Sequence, residues 1–293
     1  MKATRSHCGC APGVRQYVRV SQEIGAEPSA TYDRQLLLFG ARREAVLELA
    51  EVQRYGADSY GDPDHVSVYG MCPADWYVHG IRLLGRTAVE CTGDGLAEAI
   101  AADVAALAGS APSSSDVLII DPFVGSGNTL YWIQRYLPGS RGLGFELDAV
   151  LCALTTCNLA VLDSSLEVVN IDYSAGLAGV TVHSDRLVIV FVAPPWGDAL
   201  DPSTGLDLRH TKPPVAQIVD VLMHHFPRNA LLLAIQVYER IDPTSLAELT
   251  PRCDWWAVHL YDLNETGHNH GILLGTRGWV PPGPPLDAAW TAV

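Results

Sequence analysis

Carboxylates set beside glycines at strand ends can hold a cationic or hydroxyl-bearing ligand, and this sequence places them in a series. The first is Asp121-Pro122-Phe-Val-Gly125-Ser-Gly127-Asn128-Thr129. Gly125 and Gly127 lack a Cβ, so the backbone there can turn tightly and a ligand can approach it. A helix N-terminus just beyond would add unpaired N–H groups. The second place is Gly142-Leu-Gly-Phe-Glu146-Leu-Asp148. A carboxylate at the end of a second strand can accept both hydroxyls of a ribose, and Glu146 fits that role while Asp148 fits a helix N-cap. The third is Asn170-Ile-Asp172, where the acid could accept from an adenine amine or serve as an ordinary turn residue. The fourth, Ala193-Pro194-Pro195-Trp196-Gly197-Asp198, fixes the backbone with two prolines and then presents an aromatic ring. Such a ring makes a flat wall for a planar or cationic group.

These residues need strands and helices to hold them. Apolar runs bounded by turn residues read as strands at 116–120, 141–146, 166–169, 187–192, 230–238, 255–262 and 271–276. Helical patterns fall at 96–107, 127–136, 149–162, 214–225 and 243–249. Alternating strands and helices imply a mostly parallel sheet with helices on both faces, whose ligands sit beyond the carboxyl ends of the strands. The short connection Asn264–His270 predicts a hairpin and an antiparallel last strand. The glycine turn lies between a strand and a helix, but no Gly-Lys-Ser/Thr follows it. Leu130 stands where a third glycine of Gly-x-Gly-x-x-Gly would be, so neither nucleotide fingerprint applies.

Upstream, 34–54 has helical periodicity and 55–64 reads as a loop. Segment 69–79 is rich in aromatics and is a candidate interface for a homo-oligomer. Residues 1–90 read as a mostly helical accessory module covering one sheet edge or serving as a lid. The main domain spans 91–280, and 281–293 is a Pro-rich tail.

With 48% hydrophobic residues among 293, the chain is expected to be globular rather than disordered. Its seven cysteines are an odd number, and the start has no apolar signal core. Reduced thiols and a cytoplasmic location are therefore expected. Cys8 and Cys10 have no second close pair, and His268 and His270 no acidic companions of known geometry, so no metal is expected. No apolar run approaches the ~20 residues that span a bilayer. The net charge of −14 argues against a polyanionic partner, because nucleic-acid binding depends on Lys and Arg neutralising phosphates.

Taken together, Asp121-Pro-Phe-Val-Gly-Ser-Gly-Asn-Thr, Phe145-Glu-Leu-Asp, Ile171-Asp172 and Ala193-Pro-Pro-Trp-Gly resemble the ordered motifs of the class I S-adenosylmethionine-dependent methyltransferases. Gly127-Asn-Thr and Pro194-Pro-Trp-Gly, with Thr92-Gly-Asp-Gly-Leu-Ala-Glu-Ala-Ile-Ala101 before them, are most similar to the trimethylguanosine synthases, which methylate the exocyclic N2 of cap guanosine. The resemblance covers residues 85–276 and implies a Rossmann-like seven-stranded α/β sheet, here with a helical N-terminal extension. It implies S-adenosylmethionine as cofactor. Asp121, Gly125 and Gly127 would line its methionine part, Glu146 its ribose and Asp172 its adenine, with Pro122, Asn128 and Thr129 as further cofactor-binding candidates. Ala193 and Pro194 would lie beside the methyl, with Trp196 stacked on the accepting ring.

Ala193 departs from the pattern: amino-group methyltransferases carry Asn or Asp there and the cap family tends to have Ser, so no side chain holds the amine. The absence of a basic surface is a second departure. The function expected is methylation of a small, planar, nitrogen-containing metabolite within secondary metabolism, N-methylation favoured; a guanosine or cap acceptor and a catalytically silent cofactor-binding subunit are the alternatives. An O- or C-acceptor would need a base. Asp198 is the candidate, with Asp201, His210 and Tyr238 behind it, all of which also read as solvated or structural residues.

Overall fold

The computed structural model describes residues 32–112, 116–184, 186–201, 203–262 and 270–282. Cys8, Cys10, His268, most of the 264–270 connection and nearly all of the Pro-rich tail lie outside these residues.

The described residues begin with four helices: α1 (Arg34–Leu38), α2 (Leu49–Tyr60), α3 (Pro73–Val78) and α4 (Gly85–Glu90). The single helical stretch expected at 34–54 is broken, and the loop expected at 55–64 is mostly helix. Both differences have local causes. A capping box between Glu48 and Glu51 starts α2 at Leu49, and Gly61, at φ 74, closes it. Gly56 sits inside α2 because the chain folds back over it: a Cβ there would lie 2.4 Å from the Asp62 carbonyl.

Next come α5 (Asp94–Ala108), β1 (Val117–Asp121), α6 (Asn128–Tyr136), β2 (Arg141–Glu146), α7 (Ala149–Val161), β3 (Glu167–Asn170), α8 (Tyr173–Leu177) and β4 (Leu187–Val192). A two-stranded ribbon pairs Leu200–Asp201 with Gly205–Leu206. Then follow α9 (Val215–His225), β5 (Ala230–Tyr238), α10 (Pro243–Leu249), β6 (Trp255–Tyr261) and β7 (His270–Arg277). The main sheet has seven strands in the order β3-β2-β1-β4-β5-β7-β6. It is parallel except for β7, which runs antiparallel to both β5 and β6, as a hairpin requires.

The order matters for the site. The chain leaves β1 toward β2 and β3, then returns to place β4 on the other side of β1. That reversal is a topological switch point, where α/β sheets open a crevice at their carboxyl ends. The ends of β1, β2 and β4 carry the acidic and Pro-Pro-Trp motifs.

Every residue of β1 and of β4 is buried. Their side chains alternate between two cores, as strand geometry demands. Leu118, Ile120, Val188 and Val190 face α8, α9 and α10, while Ile119, Leu187, Ile189 and Phe191 face α5, α6 and the N-terminal helices. That second core also contains Leu37, Leu47, Val52, Tyr55, Trp76 and Ile81. The described residues before 90 therefore share a core with the sheet.

Polar anchors reinforce the docking. Asn158 of α7 is buried and bonds both backbone groups of Arg82, at 3.0 Å from its N–H and 2.8 Å to its carbonyl. Arg86 bridges Glu44 at 3.0 Å and Asp148 at 2.6 Å.

A shared core predicts one unfolding transition. Trp76 is fully buried and donates to the Val66 carbonyl at 3.0 Å. Trp76→Ala should cost about 3–5 kcal/mol. Circular dichroism and tryptophan fluorescence should still report a single coincident denaturant transition, whereas two separated ones would restore an independent N-terminal module.

Candidate functional site

Asp121 ends β1 and pairs in register with Gly144. It is 2% exposed, and its carboxylate accepts the Phe123 N–H at 2.9 Å. Burial, with a smaller contribution from the neighbouring Glu146 charge, pushes its pKa up to about 7. The group is thus a deeply placed carboxyl set to favour a cation.

Beyond it the chain makes the glycine turn, with Gly125 at φ 51 and Gly127 at φ 74. A Cβ on Gly125 would meet only the Phe123 carbonyl, at 3.8 Å, so the space beside it is open. Gly127 is both left-handed and close-packed, 3.3 Å from the Thr155 methyl by the same construction. Gly144 on β2 serves the turn from below: a Cβ there would run into Val124 at 2.6 Å.

Glu146 ends β2. One carboxylate oxygen accepts the Gly125 N–H at 3.1 Å and the other accepts the Asp148 N–H at 2.8 Å. A carboxylate has about four acceptor positions, so each oxygen keeps one for a ligand hydroxyl. Asp148 caps α7 through Val150 and Leu151 N–H groups at 2.8 and 3.0 Å. Thr155 of α7 donates to the Gly125 carbonyl at 2.6 Å, which fixes the turn from a third side.

The structure gives some expected site residues other work. Asn128 is 1% exposed, and its amide accepts from Tyr69 N–H at 2.7 Å and donates to the Thr92 carbonyl and Asp94 carboxylate at 2.8 and 3.1 Å. It ties the turn to the N-terminal region and is not available to a ligand as expected. Pro122 and Thr129 are buried beside the turn. Asp172 caps α8 by accepting from Ser174 N–H at 2.9 Å, so part of its carboxylate is already committed.

Two residues that sequence reasoning passed over stand next to these acids. Leu147 is 73% exposed directly after Glu146, and Ile171 is exposed directly before Asp172. Glu146 and Asn170 are register partners, and Asn170 donates to the Glu146 and Leu147 carbonyls at 2.8 and 3.0 Å. The two exposed apolar residues therefore stand one position past the ends of adjacent strands β2 and β3. Their signal was an apolar residue beside an acid just past a strand.

At the end of β4, Ala193 is half-buried, Pro194 buried and Pro195 exposed. Trp196 lies nearly parallel to the His270 ring, with centroids 5.9 Å apart and 22° between planes. Tyr238, at the end of β5, meets both rings edge-on at 6.5 and 6.2 Å. The wall is thus an aromatic trio assembled from β4, β5 and β7. Asp198 is not part of it. Its side chain is 97% exposed on a short 3-10 turn, 3.9 Å from the Lys212 ammonium.

No family model and no curated protein matches this chain. Solved structures do align with it. One is a Listeria monocytogenes protein assigned to the class I S-adenosylmethionine-dependent methyltransferases, at 17% identity and a TM-score of 0.44, covering 68% of this chain and 64% of that one. Another is the human methyltransferase 10 domain containing protein, at 15% and 0.43, covering 63% and 84%. A third is the METTL16 methyltransferase domain, at 15% and 0.46, covering 64% and 70%. The chain spans just under two thirds of the first of these. At such identities and scores the likeness carries nothing about activity, which must come from the site.

The raised Asp121 pKa has a consequence for stability. Below about pH 4 its carboxyl is protonated in both folded and unfolded chains and costs nothing. As pH climbs through about 7 the unfolded chain holds its charge freely while the folded site resists it, so stability is lost. Asp121→Asn should match the wild type near pH 3, draw ahead of it as pH rises from about 4 to about 7, and exceed it at pH 8 by roughly 4 kcal/mol in denaturant titrations without ligand. Parallel pH profiles for the two proteins would contradict the assignment.

Proposed function

We propose that this chain is an S-adenosylmethionine-dependent methyltransferase acting on a planar, nitrogen-containing small molecule. The observation that carries the reading is the pairing of Asp121 with Glu146 around the open side of the Gly125 turn. The residues fit that cofactor. A buried carboxyl with a raised pKa suits a cationic centre, and a carboxylate with one acceptor position left on each oxygen suits a ribose diol. Exposed Leu147 and Ile171 suit the two faces of a base. S-Adenosylmethionine, when bound, supplies a methyl group on a sulfonium already activated for in-line transfer.

The protein's contribution is then positioning and exclusion of water. Asp121 and Glu146 hold opposite parts of the ligand at the ends of adjacent strands. Trp196, backed by His270, offers its ring to a flat acceptor. The prolines at 194 and 195 keep that ring at a fixed distance from the end of β4. Because Ala193 has no polar side chain, backbone carbonyls at 192–194 take the place of a side-chain acceptor for the amine N–H. A neutral nitrogen has its lone pair ready and needs no base before transfer, which agrees with the solvated position of Asp198.

Guanosine, free or in a cap, is the second reading, favoured by Pro194-Pro-Trp-Gly. Against the polyanionic form, the cations of the mouth are set against carboxylates. Arg209 meets Asp207 and Asp242 at 2.7 and 3.1 Å, Lys212 faces Asp198, and Arg240 lies 3.9 Å from Glu239. Such pairing leaves little field for phosphates.

Calorimetry with S-adenosylhomocysteine tests the cofactor. Wild type should bind, and Glu146→Ala should lose about 1–3 kcal/mol; a wild type that does not bind would remove the reading. Trp196→Ala should bind S-adenosylhomocysteine as the wild type does. Its kcat/KM should fall at least about tenfold in methyl transfer to a panel of aromatic amines, N-heterocycles, guanosine and capped RNA, with loss of a stacking contact of roughly 1–3 kcal/mol. A chain that binds the cofactor yet methylates nothing in the panel would fit a silent subunit.

A further inference from the structure

Tyr69 occupies a place where a tyrosine is a poor local choice. It and Gly70 are the central residues of a tight turn closed by Val68 and Met71, whose backbones exchange hydrogen bonds at 3.1 Å. Both have positive φ, 58 for Tyr69 and 80 for Gly70. This is the pattern of the I′ turn, which selects Asn, Asp or Gly at the first central position. A bulky residue held there is strained, and a strained residue that persists points to a function.

Its surroundings say what the function is. The phenol is 3% exposed and donates to the Ser126 carbonyl, between the two turn glycines. The Tyr69 N–H donates to Asn128 Oδ1 at 2.7 Å, just past the second glycine. One residue therefore grips both sides of Gly127. The peptide between Ser126 and Gly127 has its carbonyl held by Tyr69 and its N–H bonded to the Val124 carbonyl at 2.6 Å, so its plane cannot rotate.

Burial raises the phenol pKa, which keeps the proton on the donor throughout the ordinary pH range. The clamp is itself braced. Asp94 accepts from Gly70 N–H at 2.9 Å, from Asn128 at 3.1 Å and from the Trp132 indole at 2.7 Å. The Tyr131 ring packs edge-on to Tyr69 at 5.3 Å.

We propose that Tyr69 is a positioning residue: through its hydroxyl it fixes the Gly125–Gly127 turn in the form that receives the cofactor, so the N-terminal region is a working part of that site. The proposal rests on the cofactor reading above. It differs from simple edge covering, because removing one hydroxyl would then affect only stability.

Tyr69→Phe keeps the ring and its packing and removes the single donor. Its affinity for S-adenosylhomocysteine should fall about five- to tenfold by calorimetry, and its thermal midpoint should move by only a few degrees. Amide hydrogen exchange in unliganded protein should quicken at residues 124–128 and stay unchanged in β5. Wild-type affinity in the variant, with or without a lowered midpoint, would overturn the proposal. Should the wild type itself fail to bind, the cofactor reading falls, and the exchange measurement decides the clamp alone. Faster exchange confined to 124–128 supports it and unchanged exchange overturns it.

Discussion

The hydrogen bond from the Gly125 N–H to the Glu146 carboxylate is the contact on which the rest of the site depends. It joins the loop after β1 to the end of β2, across two strands that are parallel neighbours. Without it the Gly125 N–H would lose its partner, and the carboxylate would be held from one side only, by the Asp148 N–H. With it, the open side of the turn and the remaining acceptor positions of Glu146 sit at the crevice where the sheet order reverses. Thr155 from below and Tyr69 from the N-terminal side complete the restraint. Three separate parts of the chain thus hold a stretch of four residues that has little stability of its own.

The same place carries an electrostatic cost. Asp121 is buried with a single backbone donor and a second carboxylate nearby, an arrangement that disfavours its charged form. A protein selected only for stability would have an amide or an apolar side chain there. Retaining the acid makes sense if a cation arrives to meet it, which is how the proposed ligand would recover the cost. Charge works the other way at the acceptor mouth, where Arg209, Lys212 and Arg240 are set against acids and the wall is aromatic.

Most strands and helices from 94 onward were legible in the sequence because each is a local pattern with local punctuation, whereas the five-residue α8 and the ribbon at 200–206 are too short to show a period. Fully apolar runs mark β1 and β4, Asp148 caps α7, and the short connection before β7 sets its direction. The N-terminal region was legible only as helical. Its break before α2 depends on a capping box that the hydrophobic period hides, and its core partners lie far along the chain. In the site, strand-end acids and glycines announced themselves by type. Asn128 misled, because a polar residue in a glycine loop invites a ligand role when its partners, Thr92 and Asp94, are 36 and 34 residues away. Tyr69 and His270 carried no signal, since a turn strain and a ring stack are invisible until the backbone closes.

Those two residues also bear on what the N-terminal helices are for. A lid must move, and a moving element cannot share its largest buried side chains with the sheet. Trp76, Tyr55 and Leu47 lie in the same core as Ile119 and Ile189, and Asn158 pins the Arg82 backbone from α7. Opening the region before residue 90 would expose that core and release the glycine turn at once. The segment from Val66 to Asp94 is therefore anchored to the sheet's core. On the proposed reading an acceptor would approach over the ends of β4 and β5, past Trp196 and Tyr238, where the strand-end loops are exposed.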